Sequence, residues 1–107
     1  MQKVIRDGKV AVLYTTDYGA GWYSCHQQEE LLFHPELVDR VERKKHNEIT
    51  EEMISEILGV DVERCPYIGS VEDLGIFWVP LGVCFRISEY DGLESVHLLE
   101  EEDWITA

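Results

Sequence analysis

Phe85-Arg86-Ile87-Ser88-Glu89-Tyr90-Asp91-Gly92-Leu93-Glu94-Ser95-Val96-His97-Leu98 contains a hairpin legible from its own pattern. Asp-Gly between two alternating runs is a strong two-residue turn signal, because a type I′ turn needs positive φ at both central positions. With that loop Tyr90 faces Leu93, Ile87 faces Val96 and Phe85 faces Leu98. Apolar residues therefore meet across the strands and the register supports itself. The same register sets Glu89 opposite Glu94, a like-charge pair that strand pairing alone disfavours. Upstream, Pro80-Leu81-Gly82 fits a three-residue turn closed by a glycine bulge, so the segment from Gly75 reads as a three-stranded meander.

Moving outward, Lys9-Val10-Ala11-Val12-Leu13-Tyr14-Thr15 is short, β-branched and apolar without alternation. That is the signature of a strand buried on both faces. Lys3 to Arg6 pairs with it across Asp7-Gly8. Pro35 suits the first position of a helix over about residues 35–45, with Leu37, Val38 and Val41 on one face and Glu36/Arg40 and Asp39/Arg43 spaced i,i+4. Thr50 caps a second helix whose stripe is Met53, Ile54, Ile57 and Leu58, with Gly59 as its left-handed terminator. Trp104-Ile105-Thr106 reads as a short edge strand. The expectation is a single α+β domain over residues 1–107, a mainly antiparallel sheet with two central helices packed on one face.

The chain has 107 residues, nine Lys+Arg and 22 Asp+Glu, a formal charge of −13, and 45% apolar residues. A chain of this length buries roughly 60–65% of its unfolded surface, enough for a core without metal or disulfide support. A polyanion is repelled by phosphate backbones and anionic lipids, so direct nucleic-acid binding and membrane binding are disfavoured. The excess is not uniform. Up to His46 seven basic residues match seven acidic ones, whereas Asn47 to Ala107 holds two basic and 15 acidic. The N-terminus has no signal-peptide pattern, and three cysteines without a C-x-x-C pair suit free thiols in a reducing compartment. The expected location is the cytoplasm.

Few residues announce chemistry. Gly19-Ala20-Gly21 after a strand lacks the third glycine and the βαβ context of a dinucleotide loop. Cys25-His26 is no ready catalytic pair, because consecutive side chains on an extended chain point apart. No Cys/His spacing fits zinc, and the Asp91 turn lacks an EF-hand's alternating ligands. The expectation is a non-enzyme with no catalytic residue, no metal and no cofactor. Two surfaces remain. The acidic set Glu89, Asp91, Glu94, Glu100, Glu101, Glu102 and Asp103 suits a basic protein partner. A second set offers stacking by Tyr18 and Trp22, backbone approach at Gly19 and Gly21, and phosphate contacts from Arg43, Lys44 or Arg86. The basic run Arg40 to Lys45 sits where it favours the helix dipole, or forms a patch for a neighbouring copy's acidic strands in a homo-oligomer.

Across Gly8-Lys9-Val10-Ala11-Val12-Leu13-Tyr14, Gly19-Ala20-Gly21-Trp22-Tyr23 and Phe85-Arg86-Ile87-Ser88-Glu89-Tyr90-Asp91-Gly92, the chain resembles small proteins of unassigned function encoded by bacteriophages and prophages. The resemblance spans most of the chain, departs at Cys25, and implies genetic context rather than catalytic residues. It implies a protein that binds and disables a host component. On this reading the acidic surface mimics nucleic-acid charge on a host defence nuclease such as a CRISPR effector. The alternative is a small-ligand binder that sequesters a nucleotide signal through its glycine-aromatic loop.

Overall fold

The computed structural model describes residues 2–65 and 70–99. Strands β1 (Ile5–Arg6), β2 (Lys9–Thr15) and β3 (Leu74–Pro80) form one antiparallel sheet with β2 in the centre, and β4 (Phe85–Tyr90) and β5 (Leu93–Leu98) form a separate hairpin. Between β2 and β3 the described residues form four α-helices, α1 (Tyr23–His26), α2 (Glu30–Phe33), α3 (Pro35–Glu42) and α4 (Glu51–Leu58), and three single-turn 3-10 segments. The expected α+β class and antiparallel pairing hold.

β2 is the strand on which both cores are built. Ala11, Val12 and Leu13 are all 0% exposed, which a strand achieves only when both faces of its sheet are covered. Its odd-numbered side chains, Ala11 and Leu13, enter a core with Trp22, Leu31, Leu37, Val38 and Ile54 from the helical side. Its even-numbered ones, Val10 and Val12, join Leu32, Phe33 and Val79 under the hairpin residues Phe85, Ile87, Val96 and Leu98. The two helices of the sequence reading are present. α3 begins at Pro35, where the His34 ring accepts from Glu36 N at 3.2 Å, and it stops at Glu42 because Lys44 turns left-handed at φ 57°. α4 is capped by Thr50, whose hydroxyl accepts from Met53 N at 3.3 Å, and ends at Gly59 with φ 69°. The short helices α1 and α2 carry no periodic pattern long enough to read.

One expected pairing is corrected. β3 does not join a meander with β4; it lies against β2 from Lys9↔Pro80 to Thr15↔Leu74. Leu81 N donates to Gly8 O at 2.8 Å, so the Pro80-Leu81-Gly82 turn is tied to the β1–β2 turn and carries the chain across to the hairpin. The physical reason is that a long apolar strand gains more from a full antiparallel ladder with β2 than from a local pairing with half-exposed β4. Trp104-Ile105-Thr106 lies outside the described residues.

Burial on both faces of β2 has a measurable consequence. Leu13→Ala removes helix-side packing and should lower unfolding free energy by about 2–5 kcal/mol, and Val12→Ala on the hairpin side by about 1–3 kcal/mol. Urea denaturation measures both; a near-neutral Val12→Ala would mean the hairpin does not cover that face.

Candidate functional site

Glu94, expected on the acidic partner surface, is instead buried at 2% exposure. This is a correction with a clear cause. Thr15 N donates to Glu94 Oε1 at 2.9 Å, and Ser24 N and Oγ donate to Oε2 at 2.8 and 2.7 Å. Three donors satisfy both oxygens, and charge-assisted bonds of this kind are the stronger class. Thr15 Oγ1, also buried, donates to Gly92 O at 2.7 Å. The Glu89↔Glu94 register is as read from sequence, and the like-charge conflict is resolved by sending Glu94 inward while Glu89 stays exposed. There Glu89 Oε2 accepts from Gly92 N at 2.9 Å and closes the turn.

The glycine loop meets the hairpin tip. Asp91 and Gly92 take φ values of 52° and 87°, the type I′ geometry, and Gly19 N donates to Asp91 O at 2.9 Å. A Cβ on Gly92 would collide with the backbone of Gly19, and one on Gly21 would meet Ser24 Oγ at 2.5 Å. Close approach is therefore what these glycines serve: Gly92 lets the hairpin turn lie on the Gly19 backbone, and Gly21 makes room for Ser24 Oγ. Ala20 N donates to Ser70 Oγ at 2.8 Å and fixes the loop from its other side.

This junction presents two tyrosines. Tyr18 is 57% and Tyr90 76% exposed, with ring centroids 6.5 Å apart in an edge arrangement at 74°. Asp17, Glu89 and Asp91 are exposed at adjoining positions of the same loop and tip, and Asp17 Oδ1 accepts from Tyr18 N at 2.8 Å. Aromatic faces beside carboxylates are the groups that bind an Arg or Lys side chain, by cation–π contact and ion pairing. Glu100, Glu101, Glu102 and Asp103 lie outside the described residues.

The ligand set does not assemble. Trp22 is fully buried and donates Nε1–H to Leu31 O at 3.0 Å, so it offers no stacking face. Arg43 is held by Asp39 at 2.8 Å, and Arg40 pairs with Asp39 and Glu48. The Asp39 carboxyl is held below the usual carboxylate range, chiefly by its hydrogen bond to Arg43. Arg6 pairs with Glu42. Three of the seven N-terminal cations are thus spent on nearby carboxylates, while Lys44 and Lys45 are exposed and form no ion pair among the described residues. Lys44 is an exposed helix terminator, and Arg86 is exposed on the face of the hairpin opposite Phe85 and Ile87.

His26, which sequence reading left without a role, sits inside this junction. Its ring lies 4.7 Å from the Trp22 ring, edge-on, and its Nδ1 accepts from Gln28 N at 2.9 Å, which places the proton of the neutral ring on Nε2. Nε2 is buried without a partner among the described residues. Burial pushes the His26 pKa down to about 4 against the opposing pull of Glu94. Among the described residues no group of three or more His, Cys, Asp or Glu is placed to hold a metal ion, and no helix is long and apolar enough to cross a membrane. No family model, curated protein or solved structure matches the chain.

Two outcomes test the junction. Gly92→Ala places a methyl against the Gly19 backbone and should cost at least about 2 kcal/mol, more than the usual penalty for a positive-φ alanine; a loss under 1 kcal/mol in urea unfolding would contradict the contact. For His26, the unfolded chain takes up a proton near pH 6.5 while the folded one resists until about 4. Stability is therefore fully present above pH 6.5 and falls on acidification to pH 4, by up to about 3 kcal/mol. His26→Gln should flatten that part of the stability–pH curve; an unchanged slope would assign it to other groups.

Proposed function

We propose that the protein is a binding protein that docks the Tyr18–Tyr90 patch, with Asp17, Glu89 and Asp91, onto a basic surface of another protein. The observation that carries the reading is this exposed aromatic pair, set among carboxylates on a glycine-tight junction. Tyrosines at the centre of an interface commonly dominate its energy, and a rigid pair loses little entropy on binding. Charge supports it. After Asn47 the chain has 15 acidic and two basic residues, and Glu51, Glu52, Glu56, Asp61 and Glu63 are exposed with no ion pair among the described residues. Such a field speeds encounter with a cationic partner and repels nucleic acid.

The resemblance to bacteriophage-encoded proteins makes the nucleic-acid groove of a host defence nuclease, CRISPR effectors included, the partner class to test first. Occupation of that groove by an acidic protein inhibits by exclusion and needs no catalytic residue.

The test is binding to a panel of purified defence nucleases, with basic non-nuclease proteins as controls. At least one nuclease should bind, with affinity falling at least about tenfold between 50 and 500 mM salt. Tyr90→Ala should weaken it about tenfold or more, and Asp91→Asn, which removes the charge but tolerates the left-handed turn conformation, about threefold, each with the thermal midpoint unchanged. Binding indifferent to both substitutions and to salt would overturn the reading, as would the absence of binding to every nuclease in the panel.

A further inference from the structure

The strand order β1-β2-β3 makes β3 an edge, with one side of its backbone facing away from β2. Thr16 N donates to Asp73 O and Leu81 N to Gly8 O, and the antiparallel ladder between them alternates. Gly75, Phe77 and Val79 therefore bond to β2, while Leu74, Ile76, Trp78 and Pro80 turn their backbone groups outward. Among the described residues the outward N–H and C=O of Ile76 and Trp78 have no partner. Leu74 O does have one, since the His46 ring donates Nε2–H to it at 2.9 Å. Native edges are commonly guarded by charge. Strands β1, β4 and β5 each carry charged residues, whereas Leu74-Gly75-Ile76-Phe77-Trp78-Val79-Pro80 carries none, and Ile76, Phe77 and Trp78 are only half-buried.

The free groups of this edge complement themselves. When two β3 strands pair antiparallel about Phe77, Ile76 of each copy faces Trp78 of the other and the two residues exchange both hydrogen bonds. Leu74 then faces Pro80. Its N–H reaches the Pro80 carbonyl, and its own carbonyl, which a proline cannot serve, is the one His46 already fills. Centring the pair on Trp78 would set Ile76 O opposite Pro80, and centring it on Ile76 would aim Trp78 N–H at the carbonyl held by His46. We propose that β3 is a homodimerisation edge, on which a second copy of this chain pairs antiparallel about Phe77 and joins the two three-stranded sheets into one. The side chains agree with that register. Ile76 and Trp78, which pack against the helix-side core, become cross-strand neighbours on one face, and the two Phe77 rings meet on the other. A single strand edge makes a small interface, and each copy carries a charge of −13, so the dimer is weak and is opposed by charge. It does not depend on the binding role of Tyr18 and Tyr90.

Analytical ultracentrifugation of the full chain should show a reversible monomer–dimer equilibrium with a dissociation constant of about 1–100 μM. It should be no weaker at about 500 mM salt than at about 50 mM, because screening relieves the repulsion between two acidic copies. That trend is opposite to the one expected for a basic partner, so the two readings fail separately. Residue-resolved hydrogen exchange locates the contact: the Leu74, Ile76 and Trp78 amides should exchange at least about threefold faster at about 1 μM than at about 500 μM. The outward amide of Ile87, on the free edge of the hairpin, should not change. Ile76→Pro deletes an outward N–H without touching a bond to β2 and should abolish dimerisation, whereas Ile76→Val should retain it within about threefold. If Ile76→Pro does not fold, the exchange result on the unaltered chain decides. A chain that stays monomeric at about 500 μM, concentration-dependent protection at Ile87 in place of Ile76 and Trp78, dimerisation weakened by salt, or a folded Ile76→Pro that dimerises like the parent would each overturn the proposal.

Discussion

The Glu94 carboxylate is the constraint on which the arrangement at this end of the molecule depends. A buried carboxylate is tolerated only where donors replace its water, and here Thr15 N, Ser24 N and Ser24 Oγ do so from two different segments. The carboxylate therefore fastens three pieces of chain at once: the hairpin that carries it, the end of the central strand β2, and the first turn of α1. Deleting it would leave two backbone N–H groups and a hydroxyl facing one another without an acceptor, which is more costly than losing an ordinary contact.

Everything exposed at this end follows from that fastening. With β5 held against Thr15, the Asp91-Gly92 turn lies on the Gly19 backbone with no room for a side chain between them. Tyr18 and Tyr90 flank that contact, exposed and edge to edge. The same clamp encloses His26, whose ring is kept neutral by burial beside Trp22. Buried polar groups thus set the geometry of the surface, while the apolar contacts across β2 supply the bulk of the stability.

Local pattern carried a good deal of the fold. The Asp-Gly turn and hydrophobic alternation fix the β4–β5 register residue by residue, Thr50 and Gly59 bracket α4, and the unbroken apolar run of β2 signals its two-sided burial. The pairing of β3 with β2 was not legible, since the partners lie about sixty residues apart and each reads equally well beside a nearer strand. The site was half legible for a related reason. Glu89 opposite Glu94 was visible as an anomaly, but pattern alone assigns both acids to solvent; only the donors on Thr15 and Ser24, distant in sequence, reveal which turns inward. Trp22 was misread likewise, because an indole beside glycines looks like an open stacking surface until the Leu31 carbonyl that receives its N–H is in place.

The most direct measurement is backbone amide hydrogen exchange, resolved by residue, in the protein and in Glu94→Gln. The amide substitution preserves shape but turns a two-oxygen acceptor into one oxygen and a donor. The Thr15 and Ser24 amides should be protected in the parent chain and should exchange at least about tenfold faster in the variant, with the Gly19 and Gly92 amides following and those of α3 and α4 unchanged. Thr15 and Ser24 exchanging at the same rate in both proteins would contradict the account, since the hairpin would then be held in place by its apolar face alone.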